Sequence, residues 1–149
     1  CLSGYQFEKY KMKKLLLALP FIFAAQQALA IDDQDKENYK TNYTKQLKPL
    51  VVQKLSADRP EMSARAIDDE ANAYVTKMAS CQLDALLQFS EEYSEKAIMP
   101  VAQGADIAQT THDLNQQMLQ DIEAGNLSKD KAAMMIQIAQ ESAQICMNS

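Results

Sequence analysis

The sequence contains no tryptophan and three glycines among its 149 residues. Sandwiches and barrels built from short strands need turn residues, glycine foremost, at short intervals along the chain. The shortage of glycine therefore disfavours both β architectures. It also leaves no glycine-rich loop of the kind that holds phosphate groups.

Residue patterns typical of catalysis or metal binding are scarce as well. His112 is the only histidine, and one histidine cannot build a histidine-rich metal site. Asp113 lies on another face of its predicted helix and Asp106 nearly two turns earlier, so we interpret His112 as a surface residue. No GxSxG motif marks a nucleophilic serine. We therefore expect a protein that is not an enzyme, with no catalytic residue, no metal site and no cofactor.

The longest apolar run, Leu15 to Ala25, follows the basic pair Lys13-Lys14 and precedes the small-residue pattern Ala28-Leu29-Ala30. A basic start, a short apolar centre and a small-x-small end are the three parts of a secretory signal peptide. The run is shorter than the roughly 20 residues that a helix needs to cross a bilayer. Residues 12–30 are therefore predicted to be a cleaved signal peptide.

Cleavage after Ala30 would leave a mature chain from Ile31 to Ser149, located in the bacterial periplasm or outside the cell and without a membrane anchor. Residues 1–11 precede a natural start at Met12, and we interpret them as an upstream extension. A lipid-modified Cys1 is the alternative, although an export signal would then follow the lipid.

The mature chain is acidic, with 11 basic and 19 acidic side chains and a net charge of −8. This charge repels nucleic acid and anionic lipid, so we expect no nucleic-acid partner. It suits a cationic protein partner, but solubility is the simpler explanation of the charge.

Apolar residues recur every three or four positions along the mature chain, the spacing of amphipathic helices. The first predicted helix carries Tyr39, Tyr43, Leu47 and Leu55, and Pro49 interrupts it with a kink or a new helix start. The second is predicted to begin near Pro60, with Ser56 or Asp58 as its cap, and either to continue to Lys96 or to bend near Ser80. Its apolar stripe comprises Ile67, Ala71, Tyr74, Met78, Cys81, Ala85 and Phe89.

A connection over residues 98–104 leads to the third predicted helix, with apolar residues from Ile107 to Ile122. Gly125-Asn126 is a helix stop signal, and Ser128 caps a fourth helix that runs from Lys129 to about Met147. Because this turn is short, we expect the last two helices to be antiparallel neighbours.

The prediction for residues 31–149 is one all-α domain, a small four-helix bundle, or five helices if the chain breaks at Pro49. Cys81 and Cys146 are the only cysteines of the mature chain, and each falls on the apolar stripe of its helix. In an oxidising compartment such a pair indicates a disulfide. A redox-active pair or thiol metal ligands are the alternatives, but the pair lacks the CxxC spacing typical of both.

These observations favour a non-catalytic protein that binds another protein, such as an inhibitor, an immunity protein or a chaperone-like factor. The alternative is a carrier of a small ligand or of copper(I) bound by methionines, although methionines at helical spacing are also typical core residues. An enzyme ranks last, and the oligomeric state stays open. The candidate partner-binding residues are acidic and lie outside or at the edge of the second helix's stripe: Asp68, Asp69, Glu70, Glu91, Glu92 and Glu95.

Overall fold

The computed structural model describes residues 31–149, and this part of the chain is an all-α domain. Its five helices are α1 (Asp33–Asp58), α2 (Ala64–Leu86), α3 (Glu91–Ala102), α4 (Ile107–Glu123) and α5 (Lys129–Asn148). The predicted all-α class is confirmed. The upstream extension and signal peptide predicted for residues 1–30 lie outside the described residues. Within residues 31–149, every helix is too short or too polar to span a membrane.

Helix α1 continues through Pro49, so the alternative of a new helix starting at this residue is wrong. Proline removes one amide donor from the helix, but α1 packs against both α2 and α3, and these contacts support it along its length. The helix begins at a capping box, in which Asp35 N donates to Asp32 Oδ1 at 2.8 Å and Asp32 N donates to Asp35 Oδ2 at 3.1 Å.

The fifth helix arises from a break inside the predicted long second helix. α2 ends at Leu86, where the hydroxyl of the buried Ser94 donates to the Leu86 carbonyl at 2.7 Å. α3 then begins with Glu91 and Glu92 in its first turn, where the positive end of the helix dipole favours acidic groups. Ser90 followed by two glutamates is a helix start signal, which the apolar periodicity across this region concealed.

The start of α2 also differs from the prediction. Ser63 is the N-cap, and its side-chain oxygen accepts a hydrogen bond from Ala66 N. Ser56 and Asp58, the predicted caps, belong to α1. Within the predicted stripe, Tyr74 is 46 % exposed, and the neighbouring Val75 is fully buried in its place. The buried face of α2 is therefore rotated by about one residue from the predicted stripe.

Two clusters form the core. The first joins α1, α2 and α3 through Tyr39, Tyr43, Ala79, Leu83, Ile98, Val101 and Ala102. The second joins α3, α4 and the start of α5 through Tyr93, Ala97, Leu114, Met118, Leu127 and Ala132.

Helix α5 packs along α2 and not along α4, so the predicted pairing of the last two helices is wrong. The turn itself is as predicted: Gly125 has a φ of 80°, and Ser128 caps α5 by accepting the amide of Lys131 at 3.2 Å. α4 and α5 meet in the second core cluster, near this turn. A short turn keeps the end of one helix close to the start of the next. The apolar faces of the two helices determine which neighbours they pack against along the rest of their length.

The predicted cysteine pair is present at disulfide distance, with the Cα atoms of Cys81 and Cys146 5.5 Å apart. Cys81 is buried in the C-terminal third of α2, and Cys146 lies near the C-terminal end of α5. The pair therefore joins the last turns of α5 to the bundle. Lys77 adds a second link by donating from Nζ to the carbonyl of Ser149 at 3.2 Å.

Candidate functional site

An apolar groove of about 660 Å³ lies between the C-terminal half of α1 and the N-terminal half of α2. The residues that line it recur three or four positions apart in each helix, so one face of each helix forms one wall. They are Leu47, Leu50, Val51, Lys54, Leu55, Glu70, Ala73, Tyr74 and Lys77. We call this feature the α1–α2 groove.

Two large side chains of the α1–α2 groove are open to solvent. Leu50 is 59 % exposed and Tyr74 is 46 % exposed. Isolated apolar residues on a surface are ordinary, but apolar residues gathered in a concave feature mark interaction sites. The apolar periodicity predicted Tyr74 to be a core residue, and the side-by-side packing of α1 and α2 is what places it beside Leu50.

The charged side chains at the rim of the groove have partners within the chain. Glu70 forms an ion pair with Arg59, and Lys54 forms one with Asp58 at 3.0 Å. The hydrogen bond to Glu70 raises the pKa of the Arg59 guanidinium. Lys77, the third charged side chain of the lining, donates to the Ser149 carbonyl and has no ion pair within residues 31–149. Two of the three charges at the rim are therefore paired, and the groove offers mainly apolar contact.

The six predicted partner-binding residues form two separate groups. One group lies in the first turns of α2, beside the groove, and the other in the first turns of α3. The stretch of α2 from Glu70 to Leu86 separates them by about 24 Å at a rise of 1.5 Å per residue. The groups are Asp68, Asp69 and Glu70 on α2, and Glu91, Glu92 and Glu95 on α3.

Ion pairs within the chain already engage half of these residues. The pairs are Asp68 with Lys48, Glu70 with Arg59, and Glu92 with Lys96. Asp69, Glu91 and Glu95 form no ion pair within residues 31–149. Of these three, Asp69 lies one helical turn before Ala73, which lines the groove. Asp69 is therefore the acidic residue best placed to meet a partner at the groove.

A second apolar surface, which the sequence analysis did not identify, runs along the outer face of α5. Met134, Ile138 and Ile145 share this face, being four and seven residues apart, and Ile145 is 71 % exposed. The inner face of the same helix carries the predicted small residues Ala132 and Ala139, both buried. α5 is therefore apolar on both faces, a pattern that a search for a single stripe overlooks.

The residues considered for metal binding are dispersed. Met118 and Met135 pack in the second core cluster, Met78 packs against the first, and Met134 is exposed. His112 is exposed on α4. In residues 31–149, no three His, Cys, Asp or Glu side chains form a group that could hold a metal ion.

In comparisons with protein-family models, with curated proteins and with solved structures, the chain has no match.

Proposed function

We propose that this chain is a non-catalytic binding protein of the bacterial periplasm or extracellular space, and that it holds another protein at the α1–α2 groove. The observation that carries the proposal is the exposure of Leu50 and Tyr74 in an apolar groove. The centres of protein interfaces are apolar, and aromatic residues such as tyrosine are enriched there. An inhibitor, an immunity protein or a chaperone-like factor would each use such a surface.

The shape of the groove indicates what part of a partner would enter it. Along α1 it extends from Leu47 to Leu55, which is about 12 Å at the helical rise. This length matches about two turns of an amphipathic helix, which would insert apolar side chains three or four residues apart. The proposed occupant is therefore a helical segment of the partner, with its apolar face toward Leu50 and Tyr74.

Charge favours a basic partner. Residues 31–149 carry a net charge of −8, and Asp69 stands unpaired beside the groove. A field of one sign speeds the encounter with an oppositely charged protein. We therefore propose a cationic segment that presents a lysine or arginine near Asp69.

The proposed compartment rests on the signal-peptide pattern of residues 12–30 and on the pairing of Cys81 with Cys146, since disulfides persist in oxidising compartments. A copper(I) carrier gains no support from the dispersed methionines. The small-ligand alternative has separate support, in a different part of the bundle.

The test is affinity purification of the mature protein from periplasmic extract, followed by binding measurements with the captured partner. Leu50→Ser and Tyr74→Ser should each weaken binding about tenfold or more, the effect of truncating an interface anchor, without lowering thermal stability. Ile145→Ser, on the outer face of α5, is the matched control and should leave binding unchanged. Loss of binding in Ile145→Ser alone would place the interface on α5 and contradict the proposal.

A further inference from the structure

A separate cavity of about 530 Å³ lies among all five helices. Each helix contributes to its wall: Tyr39 from α1, Leu86 from α2, Ala97 from α3, Leu114 from α4 and Ala139 from α5. Its volume is within the range of small-molecule sites, and cavities between the helices of bundles are common locations for such sites.

The cavity exists because α4 and α5 are held by different neighbours. The side-chain amide of Gln46 on α1 anchors the start of α4, accepting from Ile107 N at 2.9 Å and donating to Ala105 O at 2.9 Å. α5 is held on α2, where Cys146 meets Cys81. The two helices consequently pack on different partners, and the space between them is left open.

The lining of the cavity is neutral. It contains no Asp, Glu, Lys, Arg or His from residues 31–149, and its polar groups are amides and hydroxyls such as Gln82, Thr111, Asn115 and Gln140. Moving a charged molecule out of water is costly where no opposite charge awaits it. The cavity therefore favours an uncharged ligand, although the protein around it is strongly acidic.

Tyr39 supplies a polar group without a protein partner. The residue is 2 % exposed, and its hydroxyl makes no hydrogen bond within residues 31–149. In residues 31–149, every side-chain N or O atom that is fully buried has a hydrogen-bond partner. Because the Tyr39 hydroxyl has none, its oxygen is not fully buried. The hydroxyl oxygen therefore keeps a small accessible surface, and Tyr39 is one of the residues that line the cavity. Burial raises the pKa of Tyr39, so the hydroxyl keeps its proton at physiological pH.

We propose that this cavity binds an uncharged, mainly apolar small molecule with one hydrogen-bond acceptor, which the Tyr39 hydroxyl contacts as donor. Buried tyrosine hydroxyls are normally hydrogen-bonded, and a ligand acceptor completes this one. The site is distinct from the α1–α2 groove, because the two share no lining residue.

The neutral fluorescent ketone Prodan is a suitable probe, since it is aromatic and carries one carbonyl acceptor. Titration of the mature protein should show saturable binding at one site with a blue shift of the emission. Tyr39→Phe removes only the hydroxyl and should weaken binding about fivefold, the effect of one hydrogen bond. Thr111→Phe adds bulk at an exposed position on the cavity wall and should also weaken binding.

The matched controls are Tyr74→Phe, the same chemical change outside the cavity, and Leu50→Ser, which alters the groove. Both should leave Prodan binding unchanged, so the result is independent of the protein-binding proposal. The absence of saturable binding would overturn the inference. Binding unaffected by Tyr39→Phe and Thr111→Phe, or lost in Leu50→Ser, would overturn it equally.

Discussion

Tyr93 on α3 donates a hydrogen bond from its hydroxyl to Asp121 Oδ2 on α4 across 2.6 Å. The bond lowers the pKa of the Asp121 carboxyl, and Gln117 supports it by donating to Oδ1 at 3.0 Å. Burial, followed by this bond, raises the pKa of Tyr93 to about 12. The pair lies beside the second core cluster and connects α3 to α4, although the two residues are 28 positions apart in the sequence.

This pair predicts a pH dependence of stability. Because folding lowers the Asp121 pKa, the bond stabilises the protein above the ordinary carboxyl value of 3.8, and this stabilisation is lost as the pH falls through the folded pKa. Tyr93→Phe should lower the urea midpoint at neutral pH, and its difference from the wild type should shrink as the pH falls below 3.8. Tyr74→Phe, at an exposed tyrosine, is the control. A difference that stays constant with pH would show that Tyr93 acts through packing alone.

The cysteine pair closes a loop with a sequence separation of 65 residues. We expect mass spectrometry of unreduced peptides from periplasmic protein to find Cys81 joined to Cys146. Replacing both by alanine should lower the free energy of unfolding by up to about 4 kcal/mol, because the unfolded chain regains loop entropy. If the bond is purely structural, partner binding should remain. Two free thiols in that material would instead favour a redox or metal-binding role.

Asn42 on α1 donates from Nδ2 to the carbonyls of Val101 and Ala102 at 3.1 and 3.0 Å, and so satisfies the end of α3. Asn42→Ala should lower the free energy of unfolding by about 1–2 kcal/mol, because the partly buried Ala102 carbonyl loses its donor, whereas the Val101 carbonyl still accepts from Gly104 N at 2.9 Å. Asn38→Ala is a matched control one turn earlier, where the side chain bonds only to Gln34 on the surface. If Asn42→Ala and Asn38→Ala changed the free energy of unfolding equally in urea denaturation, the change would reflect helix propensity and not the contact of Asn42 with α3.

Reversal of charge at Asp69 should affect how fast a cationic partner arrives. Asp69→Lys should lower the association rate several-fold at low salt and less at high salt, while the dissociation rate changes little. Glu92→Lys makes the same charge change in the second acidic group, which the length of α2 separates from the groove. Stopped-flow kinetics at several salt concentrations should show the larger effect for Asp69→Lys. A larger effect for Glu92→Lys would move the interface to the start of α3.

The signal-peptide prediction has a direct measurement. N-terminal sequencing of the exported protein should begin at Ile31, because the small-residue pattern ends at Ala30. Mutation of Ala28 and Ala30 to larger residues should block cleavage and retain the precursor in the membrane fraction. A product that begins at Cys1 would contradict the export argument.

The sequence by itself determined the all-α class, the start of α5 at Ser128 and the pairing of Cys81 with Cys146. Helix periodicity and caps act over a few neighbouring residues, so they can be identified without knowing the fold. The cysteine pairing follows from number, since residues 31–149 contain two cysteines. The second helix was predicted less well, because apolar residues continue through the α2–α3 break and conceal the start signal at Ser90.

Only the tertiary structure decided which helices are neighbours, and both candidate sites depend on that choice. An apolar stripe indicates that a face is buried but not which helix covers it. The cysteine pair indicated contact between α5 and α2, but no pattern indicated that α5 lies along α2 and not along α4. The packing of α1 against α2 places Tyr74 beside Leu50, and the packing of the five helices leaves a cavity that Tyr39 lines. Grooves and cavities form where side chains do not fill the space between helices. This depends on how all five helices pack together, so a local sequence pattern cannot predict it.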